Sequence, residues 1–369
     1  MFNLSFSNKD DLKQFLKEEK FNKILIICGE KSFKDSGANK LFEGSFDNKK
    51  IELYFKKYSI PNHLELQDII NFIKLFSPNL IISVGGGSVL DYAKIANALT
   101  SSNNLKEELV NSTYNIKKKF AKLIAIPTTA GSGAEVTPNA VIYVDKIKYS
   151  VEGDHLKPDH FFLIPELVLP ASKRIKSSAG FDAIAQAIES LISKRSNENS
   201  KVFAEKSLKL SFNYFLDFLN KPNKENSSAM CLAANLSGEA ISISKTTAPH
   251  AVSYPFTALY NVSHGHAVSL TLNKFLKFNY KNLVYAKCDF DLNNRFKILF
   301  DLTKTKNFEA FNKYLMNLKI NAELESNFEK LGIDINKDYS KIISSVNAKR
   351  LANNPIDLNP EDLKKIIQN

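Results

Sequence analysis

Cysteine is scarce in this chain, and its spacing excludes two common uses of the residue. The 369 residues include three cysteines, Cys28, Cys231 and Cys288, which lie far apart and form no CxxC pair. This pattern argues against a disulfide scaffold and against a cysteine-based zinc site. It is typical of a protein kept in a reducing cytoplasm, which is the location we expect.

Long apolar runs are lacking as well. No run approaches the ~20 residues that a membrane-spanning helix needs. The N-terminal stretch MFNLSFSNKDDLKQF has acidic residues early and no apolar signal-peptide segment. We therefore expect neither export nor a membrane partner. The chain also has no internal repeat, so a repeat architecture is not expected.

Positive charge is in excess, with 50 Lys and Arg against 39 Asp and Glu and a formal net charge of +11. The basic residues are mostly scattered lysines among many asparagines, and Lys117, Lys118 and Lys119 form the one tight triplet. A lysine- and asparagine-rich composition explains this balance without a nucleic-acid partner. A positive field that attracts an anionic substrate is the second interpretation.

Strand-like and helix-like segments alternate in the first half of the chain. The segment from Leu64 to Phe76 has apolar residues at helical spacing and lies between β-branched runs. Such alternation indicates a parallel α/β sheet covered by helices. The β-branched runs are at 23–28, 79–84, 122–127 and 140–144.

Beyond about Lys173 the strand-like runs end and amphipathic helical patterns follow one another. We predict an α/β, Rossmann-like dinucleotide-binding domain with a parallel sheet over residues 1–171. An all-helical metal- and substrate-binding domain is predicted over 172–369. The active site is expected in a cleft between the two domains.

A glycine turn follows the second β-branched run, in the segment VGGGSVLDYAK. Backbone N–H groups at the start of a helix favour anions, and glycine lets the main chain approach a phosphate closely. Gly85, Gly86, Gly87 and Ser88 are therefore candidates for binding a pyrophosphate, and a plain turn is the alternative. Asp91 and Lys94, on the first turns of the helix, face either the cofactor or solvent.

A second polar loop, in the segment AIPTTAGSGAEVT, lies between two strand-like runs. Its small hydroxyl and glycine residues offer closely spaced hydrogen-bond donors. Thr128, Thr129 and Ser132 are candidates for contacting a diphosphate or a nicotinamide, and an ordinary connecting loop is the alternative.

Three residues in the second half have side chains suited to one divalent metal. Asp182 lies in the apolar helical run AGFDAIAQAIESLIS, where a buried carboxylate needs a partner. His250 and His264 follow at a separation of fourteen residues. One carboxylate and two imidazoles can hold Zn²⁺ or Fe²⁺ with positions left open. A helix cap or a salt bridge is the alternative for Asp182, and each histidine alone could be an ordinary residue.

Several motifs in register resemble the iron-containing (group III) alcohol dehydrogenase family, whose superfamily also contains dehydroquinate synthase and glycerol dehydrogenase. The motifs are GGGSVLDYAK, PTTAGSGAEVT, GFDAIAQAIES and H-x13-HG. The resemblance implies a dehydroquinate synthase-like architecture, a homodimer, NAD(P)H as cofactor, and Fe²⁺ or Zn²⁺ as metal. It implies metal ligation by Asp182, His250 and His264. It assigns cofactor contacts to Gly85, Gly86, Gly87, Ser88, Asp91, Lys94, Thr128, Thr129, Ser132 and Lys148.

Two positions depart from the pattern of that family. Gln186 occupies the place of a histidine ligand, four residues after Asp182. A neutral amide oxygen is a poor ligand for a borderline metal, so Gln186 is either a weak fourth ligand or no ligand. Tyr254 replaces a second histidine expected near the nicotinamide, and a phenol can relay a proton. His266 is a second candidate relay, although it could equally be an ordinary residue near a helix N-terminus.

The segments QAIES, HAVSYP and HGHAVSLTL resemble the phosphonoacetaldehyde reductase branch of the family. The resemblance implies reduction of a small anionic aldehyde, phosphonoacetaldehyde, to 2-hydroxyethylphosphonate. Lys194 and Arg195 are candidates for contacting the phosphonate, and solvated cations at the end of a helix are the alternative. A general short-chain alcohol or aldehyde dehydrogenase, a cyclase that uses NAD transiently, and a relative without catalytic activity are the alternatives. Gly29, where NAD-preferring members have an acidic residue, favours acceptance of NADPH, with Lys31 or Lys34 beside a 2′-phosphate.

Overall fold

A computed structural model gives the fold of the chain and describes residues 8–18, 21–44, 46, 49–145, 147–346 and 348–368. The chain forms two compact units, Met1–Ala171 with Asn223–Cys231 and Ser172–Pro222 with Leu232–Asn369. The sequence places Asn223–Cys231 in the helical part, but this segment belongs to the first unit. Within that unit, Lys224 of this segment forms an ion pair of 3.0 Å with Glu166.

The described residues of the first unit form seven strands. Five of them form one sheet in the order β2-β1-β3-β4-β7, and every neighbouring pair in this sheet is parallel. Its inner strands are buried along nearly their whole length because helices cover both faces. The strands are β1 (Lys23–Cys28), β2 (Lys50–Phe55), β3 (Leu80–Gly85), β4 (Lys122–Pro127), β5 (Asn139–Val144), β6 (Ile147–Glu152) and β7 (His160–Phe161).

The run at 140–144 is a strand, as predicted, but it does not join the parallel sheet. It forms β5, which pairs with β6 as an antiparallel hairpin. Asp145 in the turn has a φ of 49°, a left-handed conformation that aspartate tolerates in tight turns. A β-branched run indicates a strand but does not indicate its partner, so the pattern could not separate the two arrangements.

Helices and apolar cores lie on both faces of the parallel sheet. The side chain of Asn62 caps the helix that begins at His63, because its oxygen accepts hydrogen bonds from the N–H groups of Leu64 and Glu65. The helices of this unit are α1 (Lys9–Glu18), α2 (Glu30–Asp35), α3 (His63–Phe76), α4 (Gly87–Ala98) and α5 (Leu105–Asn111).

The second unit is helical, and none of its described residues lies in a strand. These observations confirm the predicted fold class, an α/β part with a parallel sheet followed by an all-α part. The helices are α6 (Lys173–Ile192), α7 (Glu198–Asn220), α8 (Lys224–Ser244), α9 (Ala248–Tyr260), α10 (His264–Lys281), α11 (Leu292–Thr303), α12 (Phe308–Asn321), α13 (Ile335–Ser344), α14 (Ala348–Leu351) and α15 (Pro360–Gln368). The first residues of α8 belong to the other unit.

Helix α6 is the central helix of the second unit. It is buried on nearly all sides from Lys176 to Ile192, and it packs against α7 and α10. A helix buried all round is expected to be apolar all round. The polar residues in its interior therefore need specific partners. Across the described part of the chain, no helix combines the length and the apolarity that crossing a membrane requires.

Candidate cofactor loop and metal centre

The glycine turn connects β3 to α4 in the first unit, as the sequence predicts. β3 ends at Gly85, Gly86 is the N-cap, and α4 begins at Gly87. Two of these glycines lie directly beside the second polar loop. A Cβ on Gly86 would be 3.3 Å from Thr129 Oγ1, and one on Gly87 would be 2.8 Å from Ser132 Oγ. The fold therefore brings the two predicted phosphate-binding segments together around the N-terminus of one helix.

The remaining hydroxyl candidates also lie at this edge of the sheet. The Ser88 hydroxyl receives a hydrogen bond of 2.7 Å from Lys56 Nζ, so a cation lies beside the start of α4. The Thr128 N–H donates to the Gly85 carbonyl at 3.0 Å, which ties the end of β4 to the end of β3. A loop with this arrangement of N–H groups, hydroxyls and a cation is suited to a diphosphate.

Lys94 and Asp91 hold the end of the second loop and the strand that follows it. The Lys94 side chain is fully buried, and its Nζ donates to Ala134 O at 2.9 Å, Thr137 Oγ1 at 2.9 Å and Asn139 O at 2.6 Å. Asp91 Oδ2 accepts from the Val141 N–H at 3.0 Å. These contacts give both residues a role in positioning the loop, and direct contact with a cofactor stays a prediction for them.

Charge around Asp91 is balanced within the same unit. Burial raises the pKa of Asp91 to about 6, although Lys94 and Lys148 act in the opposite direction. Lys148, on β6, therefore contributes to the field around this carboxyl group. Contact of Lys148 with the cofactor stays a prediction.

Three helices of the second unit supply the predicted metal ligands. Asp182 lies in the middle of α6, His250 in the first turn of α9, and His264 is the first residue of α10. Asp182 Oδ1 lies 3.2 Å from His250 Nε2 and 3.9 Å from His264 Nε2. The three potential ligand atoms lie within 4.8 Å of one another.

This donor set fits a divalent ion. Zinc-type distances of about 2.1 Å in tetrahedral geometry place neighbouring ligand atoms roughly 3.4 Å apart. The two separations from Asp182 Oδ1, 3.2 Å to His250 Nε2 and 3.9 Å to His264 Nε2, lie on either side of that value. Asp182 and His250 are almost fully buried, whereas the side chain of His264 is 36% exposed. The set is thus buried on one side and accessible on the other.

The electrostatic field at this cluster also favours a cation. Burial by itself lowers the pKa of His250, but the carboxylates of Glu189 and Asp182 outweigh it and raise the pKa to about 9. A field that stabilises positive charge on this imidazole also stabilises a bound divalent cation, and metal binding then competes with a proton.

Gln186 contacts the cluster through its amide nitrogen. Its Nε2 donates to Asp182 Oδ2 at 3.2 Å, and its Oε1 accepts from Ser237 Oγ at 3.0 Å. In this orientation the amide oxygen is hydrogen-bonded to Ser237 of α8, and the amide nitrogen is hydrogen-bonded to Oδ2 of Asp182, the oxygen that does not face the histidines. The arrangement supports a positioning role, and ligation by Gln186 stays a prediction.

The two predicted proton relays lie in different surroundings. Tyr254 is buried, and its ring stacks on His264 with centroids 5.8 Å apart and an interplanar angle of 18°. Burial raises the pKa of Tyr254 to about 12, with Arg350 acting against the shift. His266 Nε2 instead donates to the Glu325 carbonyl at 2.7 Å, and burial lowers the pKa of its ring. His266 is not among the ligand atoms that come together, and relay by either residue stays a prediction.

The sequence interpretation missed Glu189, which contacts the cluster directly. Glu189 lies on α6 and is fully buried, and its Oε1 is 2.5 Å from His250 Nδ1. A signal for it was present, because Glu189 follows Asp182 by seven residues and therefore lies on the same face of the helix.

Lys194, a predicted contact of the phosphonate, forms an ion pair with Asp357 at 2.5 Å.

Comparison with known proteins identifies the family of this chain. Residues 7–165 match the sequence profile of the iron-containing alcohol dehydrogenase, and residues 176–369 match that of the Fe-containing alcohol dehydrogenase family, C-terminal. The second match alone covers more than half of the chain.

Two curated relatives and one solved structure illustrate the similarity. A phosphonoacetaldehyde reductase of Streptomyces viridochromogenes is 30% identical over 218 residues, 56% of this chain and 55% of that protein. The chain thus spans about half the length of this relative. A 4-hydroxybutyrate dehydrogenase of Clostridium kluyveri is 28% identical over 310 residues, 82% of this chain and 80% of that protein.

The fold is similar to that of a sulfoacetaldehyde reductase from Bifidobacterium kashiwanohense, solved in complex with NAD⁺. The TM-score is 0.87 at 23% identity, over 98% of this chain and 94% of the other. This likeness concerns the fold. Together with the two profile matches, the paired polar loops and the Asp182, His250 and His264 cluster, it leads to one conclusion. The chain belongs to the iron-containing alcohol dehydrogenase family.

Proposed function

We propose that this protein is a metal-dependent NAD(P)H oxidoreductase that reduces a small anionic aldehyde to an alcohol, with phosphonoacetaldehyde as the first candidate substrate. The observation that carries the proposal is the clustering of Asp182, His250 and His264 on three helices. The paired loops around the start of α4 support a dinucleotide as the second component.

The chain's own residues have distinct parts in this reaction. A divalent iron or zinc ion held by Asp182, His250 and His264 would supply Lewis-acid stabilisation of negative charge, and a bound nicotinamide would supply hydride. The N–H groups of the glycine turn and the hydroxyls of Thr129 and Ser132 would hold the diphosphate. Tyrosine keeps its phenolic proton at neutral pH, and burial raises the pKa of Tyr254 further, so its Oη can donate a hydrogen bond.

The anionic class of substrate is supported by the relatives and by one cation. The three relatives described above are named for substrates that carry a phosphonate, a carboxylate and a sulfonate. In this chain Arg350 Cζ lies 6.0 Å from the centroid of the Tyr254 ring, which itself stacks on His264. Its Nη1 donates to Thr246 Oγ1 at 2.6 Å, which fixes the guanidinium in place. We assign the anionic group of the substrate to Arg350 rather than to Lys194.

A panel of aldehydes tests the proposed function. Purified protein loaded with Fe²⁺ or Zn²⁺ is mixed with NADH or NADPH and with phosphonoacetaldehyde, sulfoacetaldehyde, succinic semialdehyde or butyraldehyde. The expected result is stoichiometric oxidation of the nicotinamide, with the highest kcat/KM for an anionic aldehyde. Equal activity on butyraldehyde would instead indicate a general aldehyde dehydrogenase. A cyclase that uses NAD transiently would show no net oxidation, and that result would refute the proposal.

Arg350 gives a second prediction, on specificity. We expect Arg350→Gln to raise the KM for phosphonoacetaldehyde about 10- to 100-fold, because a charge-assisted hydrogen bond contributes ~1.5–3 kcal/mol. The kcat/KM for butyraldehyde should be unchanged, and Arg350→Lys should retain part of the affinity. Lys194→Gln is the matched control, since Lys194 is paired with Asp357. A uniform loss for charged and uncharged aldehydes would contradict the assignment.

Two further aspects of the proposal concern the setting of the protein. A homodimer and a cytoplasmic location are predictions from the family resemblance and the composition. The free thiols of Cys28, Cys231 and Cys288 are compatible with a reducing compartment.

A further inference from the structure

We propose that Glu189 is a positioning residue of the metal centre, which fixes both the tautomer and the orientation of His250. The inference rests on the proposed role of Asp182, His250 and His264 in holding a metal. It adds a residue that does not touch the metal itself but determines whether one of the ligands can.

The contacts of Glu189 leave its side chain little freedom. Oε1 lies 2.5 Å from His250 Nδ1, on the side of the ring opposite to the nitrogen that faces Asp182. Oε2 accepts two hydrogen bonds from Thr247, one of 2.7 Å from the backbone N–H and one of 2.9 Å from Oγ1. Both oxygens of this fully buried carboxylate are therefore engaged.

The chemistry of imidazole makes this contact decisive for ligation. A neutral ring has one protonated nitrogen, and a metal binds only the nitrogen that carries a lone pair. His250 Nε2 can bind a metal when the proton is on Nδ1, and a carboxylate oxygen facing Nδ1 can only accept that proton's hydrogen bond. Glu189 thus selects the tautomer that leaves Nε2 available, as carboxylates behind metal-binding histidines commonly do.

Helix geometry explains how one segment supplies both a ligand and its support. Asp182 and Glu189 are seven residues apart on α6, so they lie on one face, two turns from each other. Thr247 and His250 are three residues apart at the start of α9. The Thr247 hydroxyl does not cap its own helix and donates to Glu189 instead. Glu189 thereby links the first turn of α9 to the metal-binding face of α6.

The opposing explanation is that Glu189 only stabilises the fold as a buried, charged hydrogen-bond acceptor. The two explanations differ in their effect on metal binding. Glu189→Gln conserves size but replaces one oxygen with an NH₂ group. If that NH₂ faces His250, Nδ1 has to accept and the proton moves to Nε2, which removes the ligating tautomer. If it faces Thr247, it meets the backbone N–H of that residue, which can only donate, and the neutral oxygen left behind Nδ1 is a weaker acceptor than a carboxylate.

The experiment measures metal affinity and the spectrum of the bound metal. Zn²⁺ affinity is determined by competition with a chromophoric chelator, and the visible absorption of the Co²⁺-loaded protein reports the ligand geometry. We expect Glu189→Gln to lower metal affinity about 10- to 100-fold and to shift the Co²⁺ bands. Thr247→Val, which removes one hydrogen bond to Glu189, should have a smaller effect in the same direction, and Thr247→Ser should match the wild type.

A matched control separates positioning from loss of a buried carboxylate. Glu65 is also almost fully buried and accepts hydrogen bonds from the backbone N–H groups of Lys57 and Tyr58. Glu65→Gln is therefore the same chemical change in the other unit, and it should leave metal affinity unaltered. Thermal unfolding of each variant establishes that it is folded, and Thr247→Val provides the comparison if Glu189→Gln does not fold.

The outcomes distinguish this inference from the proposed function. If the wild type binds no divalent metal, the metal-dependent function is wrong. If the wild type binds metal and Glu189→Gln binds it with equal affinity and an identical Co²⁺ spectrum, the positioning role is wrong. A loss of affinity in Glu65→Gln equal to that in Glu189→Gln would also overturn it.

Discussion

Substitution of His264 by alanine is expected to lower kcat/KM for the aldehyde by about 10³-fold or more, since stabilisation by a bound metal is worth several kcal/mol. His264 is the most informative of the three proposed ligands to replace. It is the first residue of α10 and its side chain is 36% exposed, so alanine leaves no buried cavity. Asp182 and His250 are buried and are hydrogen-bonded to Gln186 and Glu189, so their replacement would also affect folding.

The chain offers a matched control for this substitution. His63 is likewise the first residue of a helix, α3, and is likewise partly exposed. His63→Ala should retain the metal content and kcat/KM of the wild type, as measured by elemental analysis and initial rates. His264→Ala should lose metal while unfolding at nearly the same temperature as the metal-free wild type, because a metal bound only to the folded state would itself stabilise the loaded protein. Wild-type activity in folded His264→Ala would show that this histidine is not a ligand.

Substitution of Gly265 by alanine is expected to lower the free energy of unfolding by about 3 kcal/mol or more. The start of α10 approaches α6 so closely that an added Cβ would overlap the carbonyl oxygen of Ser178 and lie 2.8 Å from Asp182 Cβ. Neither obstacle is the end of a flexible side chain, so α10 would have to shift. His264 is the neighbouring residue and Asp182 is one of the obstacles, so metal affinity should fall together with stability.

Gly29→Ala is the control for the Gly265→Ala prediction. A Cβ on Gly29 would lie 2.8 Å from Ser32 Oγ, a hydroxyl that can rotate away. Chemical denaturation with the metal removed should show a large loss for Gly265→Ala and a small change for Gly29→Ala. Equal stability of the two variants would mean that α10 and α6 are not packed as closely as described.

The sequence allowed prediction of those parts of the molecule that depend on short-range patterns. The inner strands at 23–28 and 122–127, the helical second half and the family were all predictable from apolar spacing and from motifs. The turn at Gly85 to Gly87 followed from glycine chemistry. The structure then brought Asp182, His250 and His264, far apart in the chain, within reach of one ion.

The features that were not predicted depend on contacts between distant segments. Lys94 on an isolated helix resembles a solvated or cofactor-binding lysine, and its burial follows from three acceptors at 134–139, some forty residues later. The role of Glu189 on α6 could not be predicted from its neighbours in the sequence, because its partners, Thr247 and His250, lie at the start of α9. Spacing shows which face a residue occupies, but it does not show what covers that face.

The most direct test of the proposed function is a metal titration of the chelator-treated wild-type protein, with the rate of nicotinamide oxidation by phosphonoacetaldehyde measured at each addition. The proposed function predicts no activity without metal and full activity at one equivalent of Fe²⁺ or Zn²⁺ per chain. His264→Ala should show no recovery over the same range. Full activity of the metal-free protein, or recovery in His264→Ala equal to that of the wild type, would contradict it.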